Sequence, residues 1–188
     1  MQAVTRSLRV WLLCIVAALY AIGVRADGFT VDNASFRVVD GVVSMNADVR
    51  FKFSEAIREA LSNGVDLTVV VESEVARVRD FLWNEPTARL AARYGIEFHA
   101  LSNQYLLRNL NLGITQSYAS LEALTADLGE IRDFPLIGVA RLSAAERYTV
   151  RVQARLDIES LPAPMRPLAY LSSLWRLKSD WHEWDLTI

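Results

Sequence analysis

The sequence predicts a mainly β protein, an antiparallel β-sandwich or open barrel with two short helices. Apolar and polar residues alternate with period two along several segments, helical periodicity is confined to two short stretches, and turn signals separate the segments. Successive side chains of a strand point to opposite faces. The alternation is therefore typical of strands with one buried and one solvated face.

The first 26 residues are predicted to be a secretory signal peptide. Two arginines precede the 15-residue apolar run Val10 to Val24, and Val24-Arg25-Ala26 places small or aliphatic residues before a cut after Ala26. A spanning helix needs about 20 residues, so an uncleaved anchor is the lesser alternative. We expect a single β-rich domain over residues 27–188, exported to the periplasm.

Composition limits the partners of the mature domain. Removal of three signal-peptide arginines leaves 17 basic against 22 acidic residues, a charge of −5. This disfavours nucleic acid and anionic membrane surfaces as partners, and no stable membrane insertion is expected after cleavage. The only cysteine, Cys14, lies in the signal peptide. The domain must therefore rest on its hydrophobic core, without a disulfide or a thiolate ligand.

A hairpin and a helix come first along the domain. Odd positions from Val43 to Phe53 are apolar, the even positions up to Lys52 are polar, and Asp40-Gly41 separates this run from the β-like run before it. The pattern predicts a hairpin over residues 29–53. A helix is predicted over residues 54–64, with Ser54 as its cap and a stop at Asn63-Gly64.

Alternation predicts further strands over residues 65–75, 94–100 and 147–158, and a turn at Asn84-Glu85-Pro86. Ser120 and Gly129 bracket a second short helix. The proline-rich segment 161–167, LPAPMRP, is predicted to be a stiff crossing that delivers the last strand.

That last strand is the stretch WRLKSDWHEW, residues 175–184. Trp175, Leu177 and Trp181 share one face, and after His182 the apolar phase changes, as a β-bulge would produce. The tryptophans are expected mainly in the core, with an aromatic ligand platform as the alternative.

The sequence contains no assembled catalytic motif. It lacks a G-x-S-x-G elbow, an S-x-x-K motif and a glycine-rich phosphate loop, so no catalytic residue, metal or cofactor is predicted. His99 and His182 are expected on solvated strand faces; a hydrolase or metal-dependent site that uses both is the disfavoured alternative. Glu72 and Glu74 are expected on one charged, solvated sheet face.

Two segments are candidates for recognition. Residues 92–124 combine tyrosines with Asn and Gln, which are poor strand formers; they indicate a recognition surface or a turn-rich strand region packed on the second helix. The apolar group Phe81 to Trp83, near the expected turn, indicates a binding edge if it is exposed. The candidate binding residues are Tyr105, Arg108, Asn109, Asn111, Trp83, Trp181 and His182.

Three segments together resemble an exported proteobacterial family that is known only as a domain of unknown function. They are YLLRNLNLG at 105–113, SLEAL at 120–124 and LPAPMRPLAYLSSLWRLKSDWHEW at 161–184. The resemblance covers essentially the whole mature chain and supplies no catalytic residues. It implies an envelope setting. Because the family's genes neighbour a sensor histidine kinase of the nitrogen-regulation type, it also implies a membrane sensor kinase as the first-ranked partner.

The expected function is therefore that of a non-enzymatic periplasmic binding or interaction module, accessory to a membrane sensor histidine kinase or another envelope protein. The alternative is a protein that binds lipid or another cell-envelope ligand.

Overall fold

The computed structural model describes residues 28–187, which form two antiparallel sheets packed face to face. The strands are β1 (Gly28–Val39), β2 (Val42–Lys52), β3 (Leu67–Arg77), β4 (Glu85–His99), β5 (Gln104–Asn109), β6 (Ile114–Tyr118), β7 (Glu130–Gly138), β8 (Tyr148–Leu156) and β9 (His182–Leu186). The helices are α1 (Glu55–Ser62), α2 (Leu121–Gly129) and α3 (Arg166–Leu171), with 3-10 turns at Val139–Arg141 and Ile158–Ser160. One sheet has the order β1-β2-β7 and the other β6-β5-β4-β3-β8-β9. The predicted fold class is confirmed.

The hairpin β1–β2 follows the sequence prediction closely. Asp40 and Gly41 have φ angles of 50° and 75°, the paired left-handed conformation of a type I′ turn. An Asp-Gly pair adopts this conformation at low cost, and its twist matches that of the flanking strands. The turn thereby fixes the register from Val39 opposite Val42 to Asn33 opposite Asp48; a one-residue shift at Asp32 then places Gly28 opposite Lys52.

The core lies between the two sheets. In β3 and β8 the residues of one parity point inward and are buried, as the alternation predicts. They meet the inward side chains of β2, among which Met45 is fully buried. Burying each such aliphatic side chain stabilises the fold by about 1.5–3 kcal/mol.

Two capped helices complete the enclosure of the core. The Ser54 hydroxyl accepts from the Ile57 amide at 3.4 Å, and α1 buries Ile57 and Leu61. The Ser120 hydroxyl accepts from the Ala123 amide at 3.1 Å, and α2 packs against β2, β5 and β6. Both helices are too short to be stable alone, so packing holds them in place.

The prediction of a turn at Asn84-Glu85-Pro86 is wrong. β4 already begins at Glu85, which pairs with Arg77, and Pro86 pairs with Ala76. The register shifts beside this pair, and such an irregularity tolerates a residue that has no N–H to donate. The connection between β3 and β4 is therefore the loop of residues 78–84.

The crossing predicted at residues 161–167 contains the start of a third helix that the sequence analysis missed. α3 begins at Arg166 with Pro167 in its first turn, where a missing N–H costs nothing. Leu161 and Ala169 are buried and hold the segment to the end of the sandwich. None of the helices within residues 28–187 is long and apolar enough to cross a membrane.

The terminal stretch is a continuous strand only from His182 onward, so the strand predicted from residue 175 is partly wrong. Val152 pairs with His182, and Arg155 pairs with Lys178. The two pairs are three residues apart on β8 but four residues apart on the terminal segment. One extra residue lies between the two pairs and produces a phase change, but before His182 and not after it as predicted. His182 therefore pairs with the buried Val152 and is half-buried, so the expectation that it lies on a solvated face is wrong. The extra residue also turns Trp181 out of the core, and the exposed fraction of Trp181 is 40%.

We predict that Gly129→Ala lowers the free energy of unfolding by about 2–3 kcal/mol. A methyl group at Gly129 would lie 2.3 Å from the Val49 carbonyl oxygen, so α2 or β2 must move. Denaturant unfolding measures the loss. Gly138→Ala is the matched control, because no atom lies within 4 Å of its added methyl and φ is −67°. Equal losses in the two variants would contradict the close-approach explanation.

Candidate binding surfaces

The loop between β3 and β4, residues 78–84, projects three consecutive large apolar side chains into solvent. We call it the tip loop. The exposed fractions of Phe81, Leu82 and Trp83 are 104%, 68% and 76%. Single apolar residues are common on protein surfaces, but a contiguous exposed group marks an interaction site. Trp83, one of the predicted binding residues, therefore lies at the most prominent apolar point of the described surface.

Ion pairs fix the base of the tip loop. Glu85 accepts hydrogen bonds from both Arg77 and Arg79. Arg147 contacts Asp80 at 2.9 Å, and the backbone of Arg147 accepts from the Val78 amide at 2.8 Å. The base is thus tied to the sheet, while the apolar tip makes few contacts.

The backbone at the tip is strained. Phe81 has φ 68°, in the left-handed region, which costs a residue with a side chain about 1–2 kcal/mol. Because Phe81 is fully exposed, no packing of its ring offsets this cost. Uncompensated strain of this kind tends to occur at functional sites.

The outer face of the six-stranded sheet carries a network of ion pairs, which we call the arginine face. Arg89, Arg93, Arg151 and Arg155 surround Glu72, Glu74 and Asp157. Glu74 accepts from Arg89 at 2.6 Å and contacts Arg151 at 2.8 Å, and only 8% of its side chain is exposed. Glu72 and Glu74 share one face as expected, but the expectation that Glu74 is solvated is wrong because the two guanidiniums cover it.

Trp181 lies on the arginine face. The guanidinium carbon of Arg151 is 4.8 Å from the centroid of the Trp181 ring, a cation–π contact. The ring borders a depression of about 470 Å³ that Arg89 and Ala91 also line. Of the three tryptophans in the terminal stretch, Trp181 alone is exposed, whereas Trp175 is buried and Trp184 half-buried.

The asparagines of the predicted recognition segment are engaged in building a turn. The Asn109 side-chain oxygen accepts from the amides of Asn111 and Leu112 at 3.0 and 3.1 Å. The Asn111 side chain accepts from the Arg93 amide at 2.7 Å and donates to the Ala91 carbonyl at 3.1 Å. These amides extend the pairing of β4 past the end of β5, which agrees with the turn-rich alternative for this segment.

The other two residues of that segment point to opposite faces of the sheet. Tyr105 is half-buried on the inner face, with its ring centroid 4.9 Å from that of Phe98. Arg108 lies on the outer face and pairs with Glu97 at 2.9 Å. The structure therefore does not bring Tyr105, Arg108 and Trp83 together into one site.

The two histidines are far apart. His99 is exposed, with Nδ1 2.9 Å from the Ser102 hydroxyl; His182 is half-buried and stacks on Trp184 with centroids 6.1 Å apart. Across the sheet, His182 pairs with Val152, Val152 with Ser73, and Ser73 with Leu90 of β4. His182 therefore lies level with Leu90, which is nine residues from His99 along β4. At about 3.3 Å per residue, this separates the histidines by roughly 30 Å. Residues 28–187 contain no group of three His, Cys, Asp or Glu side chains that could hold a metal.

Three of the four sheet edges in the described residues offer little to a partner strand; the fourth, β1, has twelve residues and one register shift, between Val31 and Asn33. β6 and β9, the edges of the larger sheet, have five residues each, and short edge strands pair weakly with other chains. β7 carries Pro135 and two register shifts. The tip loop is therefore a better candidate contact than a strand added at β6, β7 or β9.

The ion pairs of the arginine face were missed in the sequence analysis because they depend on register. Glu74 pairs across the ladders with Arg89 on β4 and Arg151 on β8, which lie 15 and 77 residues away. The alternating charges along each strand were visible. Which of these charged residues form ion pairs could be known only from the order and register of the strands.

We predict that Glu85 titrates below the usual glutamate value of 4.5. Hydrogen bonds from Arg79 and then Arg77 lower its pKa, which favours the charged form. The carboxylate therefore stabilises the folded loop at pH values above 4.5, and this contribution is lost as the pH falls through the lowered pKa. Carbon-13 NMR of the side-chain carboxyl measures the midpoint. Arg79→Gln is expected to move it upward, and an unchanged midpoint would contradict the pairing.

We predict that Glu74→Ala lowers the free energy of unfolding by about 2 kcal/mol, since two guanidiniums lose their buried acceptor but still reach solvent. Glu72→Ala is the control: it removes a more exposed carboxylate and is expected to cost less than about 1 kcal/mol. Thermal and urea unfolding measure both changes. A Glu74 variant as stable as the Glu72 variant would show that burial of the carboxylate contributes nothing.

Comparison with known proteins gives the family of the chain. No curated protein and no solved structure matches it significantly. A family model described as Domain of unknown function (DUF4390) matches residues 26–185. The match spans both sheets, all three helices of the described region and the tip loop. The chain belongs to this domain-of-unknown-function family, DUF4390.

Proposed function

We propose that the protein is a non-catalytic binding module of the cell envelope that holds a protein partner through the tip loop. The observation that carries the proposal is the exposure of Phe81, Leu82 and Trp83 on a firmly anchored loop. The signal peptide predicted over residues 1–26, which lies outside the described residues, supports a location in the periplasm.

A partner that covers the tip gains free energy from apolar burial. Transfer of one large apolar side chain from water to an apolar environment is worth about 1.5–3 kcal/mol. Trp is among the residues most enriched at the energetic centres of protein interfaces. The tip thus has the composition expected of an interface centre.

The anchored base supports tight binding by lowering the entropic cost. The pairs of Arg77 and Arg79 with Glu85 restrict the loop before the partner arrives. A contact surface that is already ordered loses less conformational freedom on association. The strained φ of Phe81 fits the same role, because it aims the ring away from the sheet instead of letting it fold back.

The charges around the tip favour a protein partner over a polyanion. Arg77, Arg79 and Arg147 are balanced by three acids, Asp80, Glu85 and Glu146, that pair with them. A locally neutral rim around an apolar centre resembles the usual anatomy of protein–protein interfaces. Phosphate-rich ligands instead require unpaired cations.

Among envelope proteins, a membrane sensor histidine kinase is the partner that we rank first. This ranking rests on the family resemblance described above, and the chemistry of the tip adds only that the partner presents an apolar patch. In this role the module would bind the kinase's periplasmic part and alter its activity without catalysing a reaction.

The experiment that tests the proposal is site-specific photocrosslinking in intact cells. A photoreactive amino acid at position 83 is expected to capture one membrane protein reproducibly. The same probe at Leu112 is the matched control, because Leu112 is 70% exposed on a different loop. Equal capture at both positions, or none at position 83, would refute the role of the tip loop.

The variant Phe81→Gly separates binding from folding. Glycine adopts φ 68° without strain and removes a ring that makes little contact, so stability is expected to stay within about 1 kcal/mol of the original. The crosslink from position 83 is expected to fall several-fold. Unchanged crosslinking in this variant would show that the apolar tip does not hold the partner.

A further inference from the structure

A second exposed apolar surface lies at the opposite end of the sandwich. It consists of Leu168 and Leu171 of α3 and Leu174 just after it, with exposed fractions of 65%, 83% and 52%. We call it the leucine surface. It does not belong to the tip loop, because α3 follows β8 at the end where β3 begins: the Asp157 amide donates to the Thr68 carbonyl at 2.7 Å.

The leucine surface is held rigidly. Ala169 of α3 and Trp175 after it are buried, and the Ser54 hydroxyl donates to the Leu174 carbonyl at 2.8 Å. The exposed leucines therefore stand on a fixed base and cannot turn into the core. A rigid apolar surface of this kind is typical of a contact site.

Cations outnumber acids beside the leucines. Residues 160–179 contain three cations, Arg166, Arg176 and Lys178, and no acid, in a chain whose net charge is −2. Arg166 pairs with Glu159 at 3.8 Å. Within residues 28–187, Arg176 and Lys178 have no acid at ion-pair distance, and both border a groove of about 500 Å³ beside α3. Arg155, Asp157 and Glu159 also line this groove, and the two acids form ion pairs with Arg155 and Arg166. The mildly acidic average of the chain thus conceals a local cationic patch.

The chain also enters the fold next to this surface. Gly28 pairs with Lys52, and two residues later Ser54 contacts Leu174. These links place Gly28 less than roughly 20 Å from the leucines. Only residues 25–27 separate Gly28 from the apolar run Val10 to Val24, which lies outside the described residues. As long as the predicted signal peptide is still attached, this run would lie in a bilayer, and the end of the domain that carries the leucines would be the end nearest to it.

We propose that the leucine surface lies on a phospholipid bilayer, with the leucines in the interfacial region and Arg176 and Lys178 against anionic headgroups. Exposed leucines flanked by an excess of cations are the composition of segments that lie in the membrane interface. The tip loop differs in this respect, since its cations are paired. Juxtamembrane cations near anionic lipid add electrostatic attraction to apolar burial.

The test measures which surface of the full chain meets lipid. The chain, with Cys14→Ser, is synthesised cell-free in the presence of vesicles so that residues 1–26 are retained. A fluorophore is attached to a single cysteine introduced as Leu171→Cys, Leu112→Cys or Leu82→Cys. These sites are 83%, 70% and 68% exposed, and all three proteins carry the same N-terminal segment. Vesicles contain phosphatidylcholine with brominated lipid as quencher, with or without phosphatidylglycerol.

The label at position 171 is expected to be quenched several-fold more than the label at position 112. Arg176→Gln with Lys178→Gln is expected to reduce this quenching in phosphatidylglycerol vesicles but not in pure phosphatidylcholine. Both charges are exposed, so thermal unfolding is expected to be unchanged and to serve as the folding control.

Three results would overturn the proposal. Equal quenching at positions 171 and 112 would show only general proximity to the vesicle. Stronger quenching at position 82 would make the tip loop the membrane face. Burial of the label at position 171 without vesicles would assign the leucine surface to a second copy of the chain.

Discussion

The unequal widths of the two sheets are the constraint on which the rest of the structure depends. Six strands at about 4.8 Å spacing present an inner face roughly twice as wide as three strands can cover. The side chains of β5 and β6 would meet water if nothing else lay over them. α2 covers this part, and it can approach β2 because Gly129 leaves room for the Val49 carbonyl. The helices are therefore parts of the closure and not additions to it.

Within residues 28–187 no second layer covers the outer face of the wide sheet, and charged side chains act as its cover. Val70 is fully buried although it lies on this face, and the buried carboxylate of Glu74 sits between guanidiniums from both neighbouring strands. Exposed ion pairs contribute little stability each. Their arrangement matters more for register, since a one-residue slip of β3 would leave Glu74 without its two partners. The only cysteine of the chain, Cys14, lies outside the described residues. The ion pairs thus specify the strand register of the described domain without a disulfide.

The sequence predicted features that depend on near neighbours. Asp40-Gly41, the caps Ser54 and Ser120, and the alternation along β2 and β8 all act through residues close in the chain. Trp181 could not be placed, because the extra residue that turns it outward is defined only against β8. The sequence made the Asn109 and Asn111 side chains candidate recognition groups, because it does not show the backbone amides with which they form hydrogen bonds. Similarly, the periodicity of a six-residue helix such as α3 cannot tell which leucines face water.

The two proposed contacts lie at opposite ends of β3. The tip loop follows Arg77, the leucine surface lies beyond Leu67, and eleven residues of strand separate these ends by about 35 Å. The two contacts also differ in charge, because the cations at the tip are paired, whereas Arg176 and Lys178 beside the leucines have no acid at ion-pair distance within the described residues. If the leucine surface lies on the bilayer, the tip stands well above the headgroups, at the height of a membrane protein's external domain. The rigid sandwich then acts as a spacer that sets the height at which the partner is held.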